Sequence, residues 1–362
     1  MQPFRLVKLA ALVLGLGIQA VFSSASATTV IRIGAGNQSI GTAPPSAGIS
    51  QATFTDARKL LEEEFAKDDV KIEWKYFKGG GPVINEALAQ KQLDFAFLGD
   101  LGAIAGQADG SNTRLLIGGR GGQYYLAVAP DSNLAKLEDL KGKSVAVQKG
   151  TNLEVSFKKA LSKAGLKESD VRIINLDFPA GSEAVAAKEV DAIWIGGQIL
   201  PLRDKGRVKI VASSWDLGRE YLNQAAFVGS AQFIAAHPDL TQRLVNVTVK
   251  TRQLINQPEN REAYLSETAQ RSGVDPAVQR DQLAAIPDVQ FASSPRLDEY
   301  TLAIYQSKAE KAKELGITSV AIDVKAWAEP KFVEEALAQL SLQSAWPQYN
   351  AKGEPSKDAK IN

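Results

Sequence analysis

The stretch SVAVQKGTNLEVSFKKAL, residues Ser144–Leu161, changes its period halfway along. Ser144 to Gln148 reads as a short strand, with Val145, Ala146 and Val147 as its apolar centre. From Leu153 onward the apolar positions Leu153, Phe157, Ala160, Leu161 and Ala164 fall three or four apart, the spacing of one helical face. Lys149-Gly150-Thr151-Asn152 joins the two, and Glu154, three residues after Thr151, fits a capping box. A further strand follows at Val171 to Leu176. Strand, loop, helix and strand in this order form the unit of a parallel sheet.

Upstream the same unit recurs. Val30 to Gly34 reads as a first strand, followed by a loop from Asn37 to Gln51 rich in Gly, Pro and Ser, and a helix carrying Leu60, Leu61 and Phe65. Val70 to Phe77 alternates as a second strand. Gly79-Gly80-Gly81-Pro82 then opens a helix with Val83, Ile84, Ala87 and Leu88 on one face, and Asp94 to Leu98 forms a buried strand ending at Gly99-Asp100. Tyr124 to Val128 and Ala192 to Ile195 complete the second half. Two similar halves predict an α/β protein of two lobes, each a mainly parallel sheet flanked by helices. Beyond Pro238 the pattern is helical, with Leu240, Leu244, Val247, Leu254 and Ile255 apolar; the polar stretch from Tyr349 is expected to fray.

At the N-terminus, Arg5 and Lys8 precede the apolar run Leu9 to Phe22 and the small residues Ser23 to Ala27. This reads as a cleaved secretory signal peptide over residues 1–27, with Ala25-Ser26-Ala27 as its cleavage site. Its removal takes the formal net charge from +1 to −1, a balance that does not suit nucleic-acid binding. Cysteine is absent, which excludes disulfides, thiolate metal sites and a lipid-modified cysteine. The expectation is a soluble, monomeric, exported protein in a Gram-negative periplasm, not lipid-anchored, with no cofactor and no metal.

Two loops carry the candidate chemistry. Gly80 and Gly81 permit close approach, and Pro82 suits a first helical position because its missing N–H would have no intrahelical partner. Gly150, Thr151 and Asn152 open the other helix. Each loop is either a plain helix entry or an anion site in which unpaired N–H groups and the positive dipole end hold oxygens. Placed in matching positions across a cleft, the pair would clamp a tetrahedral anionic head group.

Further motifs give this order a family likeness. Gly81-Pro82 with Glu86-Ala87-Leu88, Asp94-Phe95 with Gly99-Asp100, Lys149 to Asn152 leading to Ala164-Gly165-Leu166, Val190-Asp191-Ala192 and Ala236-His237-Pro238-Asp239 together resemble the periplasmic binding proteins of ABC importers for aliphatic sulfonates, taurine and nitrate. The resemblance runs from Val30 to about Leu315. It implies a hinged, type II-like binding-protein fold whose cleft closes on a small anionic organic ligand, and permease and ATPase subunits as partners. Lobe 1 is then 28–121 plus 224–316, lobe 2 is 122–223, and 317–362 is a C-terminal helical extension and tail. The ligand contacts it implies are Gln38, Ser39, Gly80, Gly81, Pro82, Gly99, Asp100, Gly150, Thr151 and Asn152.

One departure bears on the ligand. Where that family commonly carries Trp-Asp-Pro, this chain has Gly196-Gly197-Gln198. Gly197 and Gln198 are expected to leave a wider cleft, suited to an alkyl or aryl sulfonate or a sulfate ester bulkier than taurine. Arg120, beside the lobe junction, either pairs with the sulfonate or is a solvated hinge residue, and Trp194 and Trp215 either stack on a ligand or pack in the core. His237, the single histidine, reads as a helix entry. Without a G-x-S-x-G elbow, a cysteine cluster or a third glycine after Gly34-Ala35-Gly36, an enzyme is not expected. Taurine, nitrate or a thiamine-pyrimidine precursor remain alternative ligands, and an extracytoplasmic sensor an alternative role.

Overall fold

The computed structural model describes residues 28–356 apart from 40, 41 and 79; the expected signal peptide lies outside the described residues. Among the described residues ten strands build two sheets. The first holds β1 (Thr29–Gly36), β2 (Val70–Phe77), β3 (Phe95–Gly99), β4 (Thr113–Gly122) and β10 (Asn223–Ser230), in the order β2-β1-β3-β10-β4. The second holds β5 (Tyr125–Val128), β6 (Ser144–Ala146), β7 (Arg172–Ile174), β8 (Ala192–Ile195) and β9 (Lys209–Ser213), in the order β7-β6-β8-β5-β9.

The two orders correspond place by place. In the fourth place of each stands the strand that has just arrived from the other sheet, β10 or β5, and each runs antiparallel to both its neighbours. β1 pairs in parallel with β2 and β3, as β6 does with β7 and β8. The chain thus crosses between sheets twice, at residues 122–125 and 213–223.

Strand register follows from burial. Ile31, Ile33 and Ala35 alternate along β1 and are almost wholly buried. Phe95 and Phe227 stack at 5.8 Å between ring centroids in the same core. Residues beyond 317 complete this core, since Trp327, Phe332, Val333, Leu337 and Trp346 are buried in it. Each such side chain contributes about 1.5–3 kcal/mol through burial. The second sheet is covered on both faces: Trp194 lies on one, between Tyr124 and Phe157 at 6.0 and 6.1 Å, and Ile193 and Ile195 lie on the other.

Three strands, β4, β9 and β10, were not legible in the pattern, and the reason is clearest at β4. Its end, Gly118-Gly119-Arg120-Gly121-Gly122, has the composition of a loop, yet it pairs with β10. A Cβ on Gly118 would stand 2.7 Å from Thr301 Cγ2, and one on Gly121 2.5 Å from Ala292 Cβ. The glycines serve close packing within a strand. The expected fraying from Tyr349 is corrected for residues 349–356: Tyr349 is buried, its N–H donates to Asp298 Oδ2 at 3.0 Å, and it bridges to Pro355, while 357–362 lie outside the described residues.

Candidate functional site

The loops that leave β2 and β3 in one sheet, and β6 and β8 in the other, are those that hold the predicted residues. Their positions in the sheets correct one expectation. Gly80–Pro82 follows β2, the outer strand of its sheet, whereas Thr151–Asn152 follows β6, which corresponds to β1. The counterpart of Gly80–Pro82 is Asp177–Pro179, after β7. Sequence reading missed it, although Asp-x-Pro at a helix start is a usable signal. Val83 and Phe178, two of the few exposed large hydrophobics, stand at these equivalent helix starts, 39% and 36% exposed.

In the first lobe the helix Gly81–Ala89 begins without a side-chain cap; Gly80 takes φ +68° and Pro82 occupies the first turn. A Cβ on Gly81 would lie 3.1 Å from the Cα of Gly102, so this glycine is required by the approach of the Asp100–Ala108 helix. Asn85 Nδ2 donates to Gly102 O at 2.8 Å and locks that approach. Gln38 and Ser39 are tied into their own loop: Gln38 N–H donates to Ser46 O, and Ser39 Oγ donates to Pro44 O at 2.7 Å.

The second lobe starts its helix with side chains. Thr151 Oγ1 donates to Gln148 O at 2.7 Å and accepts from Leu153 N at 3.2 Å. Glu154 reaches back to Gly150 N–H, at 2.7 Å, instead of to Thr151 N–H, so the predicted capping box is shifted by one residue. Burial opposes the ionisation of Glu154, but the Gly150 N–H and Lys158 outweigh it and hold the carboxyl below its usual range. Asp177 likewise accepts from Ala180 N–H at 2.9 Å.

Between the lobes lies a buried polar network around Asp100. Its carboxylate is fully buried, accepts from Leu101 N–H at 2.7 Å, and is paired with Lys308. From the other lobe, Asn152 Nδ2 donates to Asp100 Oδ1 at 2.9 Å and to Asn223 Oδ1 at 3.3 Å. Gly99 must be small here, since its Cβ would meet Asn152 Nδ2 at 3.1 Å. Leu101, Val155 and Ala312 close a small apolar seam beside it. Burial is the main cause that lowers the proton affinity of Lys159; Lys308 adds to it, while Glu220 and Asp100 oppose it. Lys308 lies 208 residues from its partner and has no local sequence signal.

Three expectations fail or change here. Arg120 does not stand in solvent: its side chain is fully buried, Nη2 donates to both Asp298 oxygens at 2.8 Å, and Nε and Nη1 have no hydrogen-bond partner among the described residues. Its guanidinium lies within 5.0–5.4 Å of the Phe291, Tyr349 and Tyr300 rings. The widened space at Gly197 is filled, because a Cβ there would fall 1.2 Å from Gln282 Nε2. Gln198 is exposed on the surface beside it. Trp194 is core, Trp215 packs beside Leu222 and Phe291, and His237 stacks on Phe233 at 4.7 Å. Among the described residues no group of metal-ligating side chains is found, and no helix is long and apolar enough to cross a membrane.

Comparison with known proteins yields a consistent set. A family model described as NMT1/THI5 like matches residues 65–261, more than half of the chain. The chain spans about half the length of the curated relatives it matches first: one, a protein of Brucella abortus (strain 2308) named as a binding protein, is 29% identical over 170 residues, 46% of this chain and 52% of that one. The taurine-binding periplasmic protein of Escherichia coli (strain K12) is 25% identical over 240 residues, 62% of this chain and 72% of its own. The periplasmic sulfonate-binding protein SsuA from Methylobacillus flagellatus KT superimposes with TM-score 0.81 at 27% identity, over 90% of this chain and 98% of that one. The desulfurization enzyme DSZB, at 17% identity and TM-score 0.66 over 86% and 99% of the two chains, shares the fold alone.

Proposed function

The chain belongs to the NMT1/THI5-like family, and on that premise we propose that it is the periplasmic solute-binding component of an ABC importer and captures an organic sulfonate by closure of two hinged lobes. The observation that carries the reading is the arrangement at the lobe junction. An uncapped helix start at Gly80–Pro82 lies in one lobe, and Asn152 of the other lobe is fastened to Asp100. The bare backbone N–H groups of the Gly81–Ala89 helix start suit a sulfonate, whose charge is spread over three oxygens. The likeness to the Methylobacillus flagellatus sulfonate-binding protein over nearly its whole length supports the same assignment.

In mechanism, the two crossings at 122–125 and 213–223 act as the hinge, and ligand contacts made to both lobes shift the population toward the closed state. The helix start at Gly80–Pro82 supplies N–H donors, while Asp100 holds Asn152 and Lys308 in place. Thr151, whose hydroxyl is used in capping, positions its helix and does not grip the anion. The fold is shared with binding proteins and with an enzyme, so we assign binding from the junction and not from the fold.

The test is calorimetric titration of ligand-stripped protein with taurine, alkyl and aryl sulfonates, aryl sulfates, nitrate and a hydroxymethyl-pyrimidine. Micromolar or tighter binding of sulfonates is expected. Response to nitrate or the pyrimidine alone overturns the ligand class and leaves the hinged fold in place.

A further inference from the structure

At the first crossing between the sheets lies a cavity of ≈ 250 Å³. It is lined by Gln123, Asn256, Gln279 and Gln282 and by the aliphatic residues Leu283 and Ile286; the Gln123 amide is already engaged, accepting from Tyr125 Oη and donating to the Gln282 carbonyl. Among the described residues, Arg120 is the one charged residue on this wall; its side chain has no solvent exposure, and its Nη2 is paired with Asp298 while Nε and Nη1 have no partner. The cavity therefore offers hydrogen-bond donors and acceptors without an accessible charge. A hydroxyl, ether or carboxamide would be satisfied there, while an ammonium or carboxylate would lose hydration without a counter-ion. Its volume equals roughly eight water-sized groups at ~30 Å³ each.

The cavity is joined to the lobe junction by two routes. Asn223, which accepts from Asn152, pairs with Gly122 on the cavity wall. Gln282 lies over Gly197 of the second lobe, and its carbonyl accepts from Gln123 Nε2 at 3.4 Å. The same helix, Pro276–Ala284, is fastened to the second lobe by the Asp281–Arg203 ion pair and by Val278 against that lobe's core. The amides of Gln279 and Gln282 are consequently set in place when that helix rests on the second lobe.

We propose that this cavity is the tail subsite of the sulfonate cleft, that it takes an uncharged polar tail, and that Gln279 and Gln282 are the residues that select it. The inference rests on the sulfonate reading above. It replaces the wide cleft expected from Gly196-Gly197-Gln198 with a compact, amide-lined one.

Titration with methanesulfonate, an alkanesulfonate, and hydroxyl-tailed and ammonium-tailed sulfonates of equal length tests it. The hydroxyl tail should bind about tenfold tighter than either the alkyl or the ammonium tail, a ratio set by one satisfied polar group. Gln279→Leu should abolish that preference. Gln279→Glu, which places a carboxylate in the cavity, should turn it toward the ammonium tail, a gain that misfolding cannot imitate. Methanesulfonate binding with no tail preference, or Gln279→Glu without the reversal, overturns the subsite alone. Silence toward every sulfonate overturns the sulfonate reading and the subsite with it.

Discussion

The two lobes use one strand order, but the Gly81–Ala89 helix of the first and the Asn152–Lys163 and Phe178–Ala186 helices of the second start by opposite means. In the first lobe, Gly80 and Gly81 leave backbone bare and let the Gly81–Ala89 and Asp100–Ala108 helices touch. In the second, Thr151, Glu154 and Asp177 spend their oxygens on the N–H groups of their own loops. A side-chain cap and a bound anion compete for the same N–H donors. On the proposed function, the bare Gly81–Ala89 start is the anion-receiving one, and the capped lobe is the rigid jaw that brings Asn152 to it.

The largest effect expected from this contrast is at the point where the jaws meet. Asp100→Ala leaves the largely buried Lys308 without its carboxylate and Asn152 without an acceptor, which should cost about 3 kcal/mol in chemical denaturation. A loss below about 1 kcal/mol, the range of exposed pairs, would break the view of Asp100 as the organiser of the junction. Next comes Gly81→Val, whose added atoms press on Gly102; overpacking of about 1–3 kcal/mol is expected. Gly150→Ala, by contrast, meets nothing within 4 Å and pays only for its φ of +74°, about 1 kcal/mol. Equal losses at the two glycines would erase the distinction between packing and conformational glycines.

Much of this was readable beforehand where period and burial coincide. β2 and β8 carry their expected bounds, Val70–Phe77 and Ala192–Ile195, because alternation declares the half-buried β2 and a run of apolar β-formers declares the buried β8. The helix after Thr151 begins at Asn152 as its cap implies. Arg120 shows where reading failed: a guanidinium between four glycines looks mobile, and nothing nearby announces Asp298 or the Phe291, Tyr300 and Tyr349 rings that enclose it. Gln282 over Gly197 was hidden for the same reason, since the filling side chain is supplied from another lobe. Local pattern specifies elements; long-range pairing decides which side chains are free to act.

Thr151→Ala tests the capped jaw directly. Loss of the hydroxyl frees Leu153 N–H and should lower stability by about 1 kcal/mol. Sulfonate affinity, measured by titration well below the variant's unfolding transition, should stay within about twofold, a difference of less than ~0.5 kcal/mol. A tenfold loss of affinity would transfer anion contact to the second lobe and reverse the assignment of roles.

The smallest effect is the pH dependence of the same cap. Glu154 has its carboxyl held below the usual range in the folded chain, so its stabilising contribution is complete above the unfolded pKa of about 4.3 and disappears as pH falls through the lower folded value. The stability difference between the native chain and Glu154→Gln should then be under about 1 kcal/mol at neutral pH and shrink toward zero in acid. Asp177, at the neighbouring helix start, offers the matched control, because Asp177→Asn retains an acceptor for Ala180 N–H while removing its charge. A Glu154→Gln difference that persists in acid would mean that the side chain stabilises the loop by packing, and the contrast between bare and capped jaws would then rest on Thr151 and Asp177 alone.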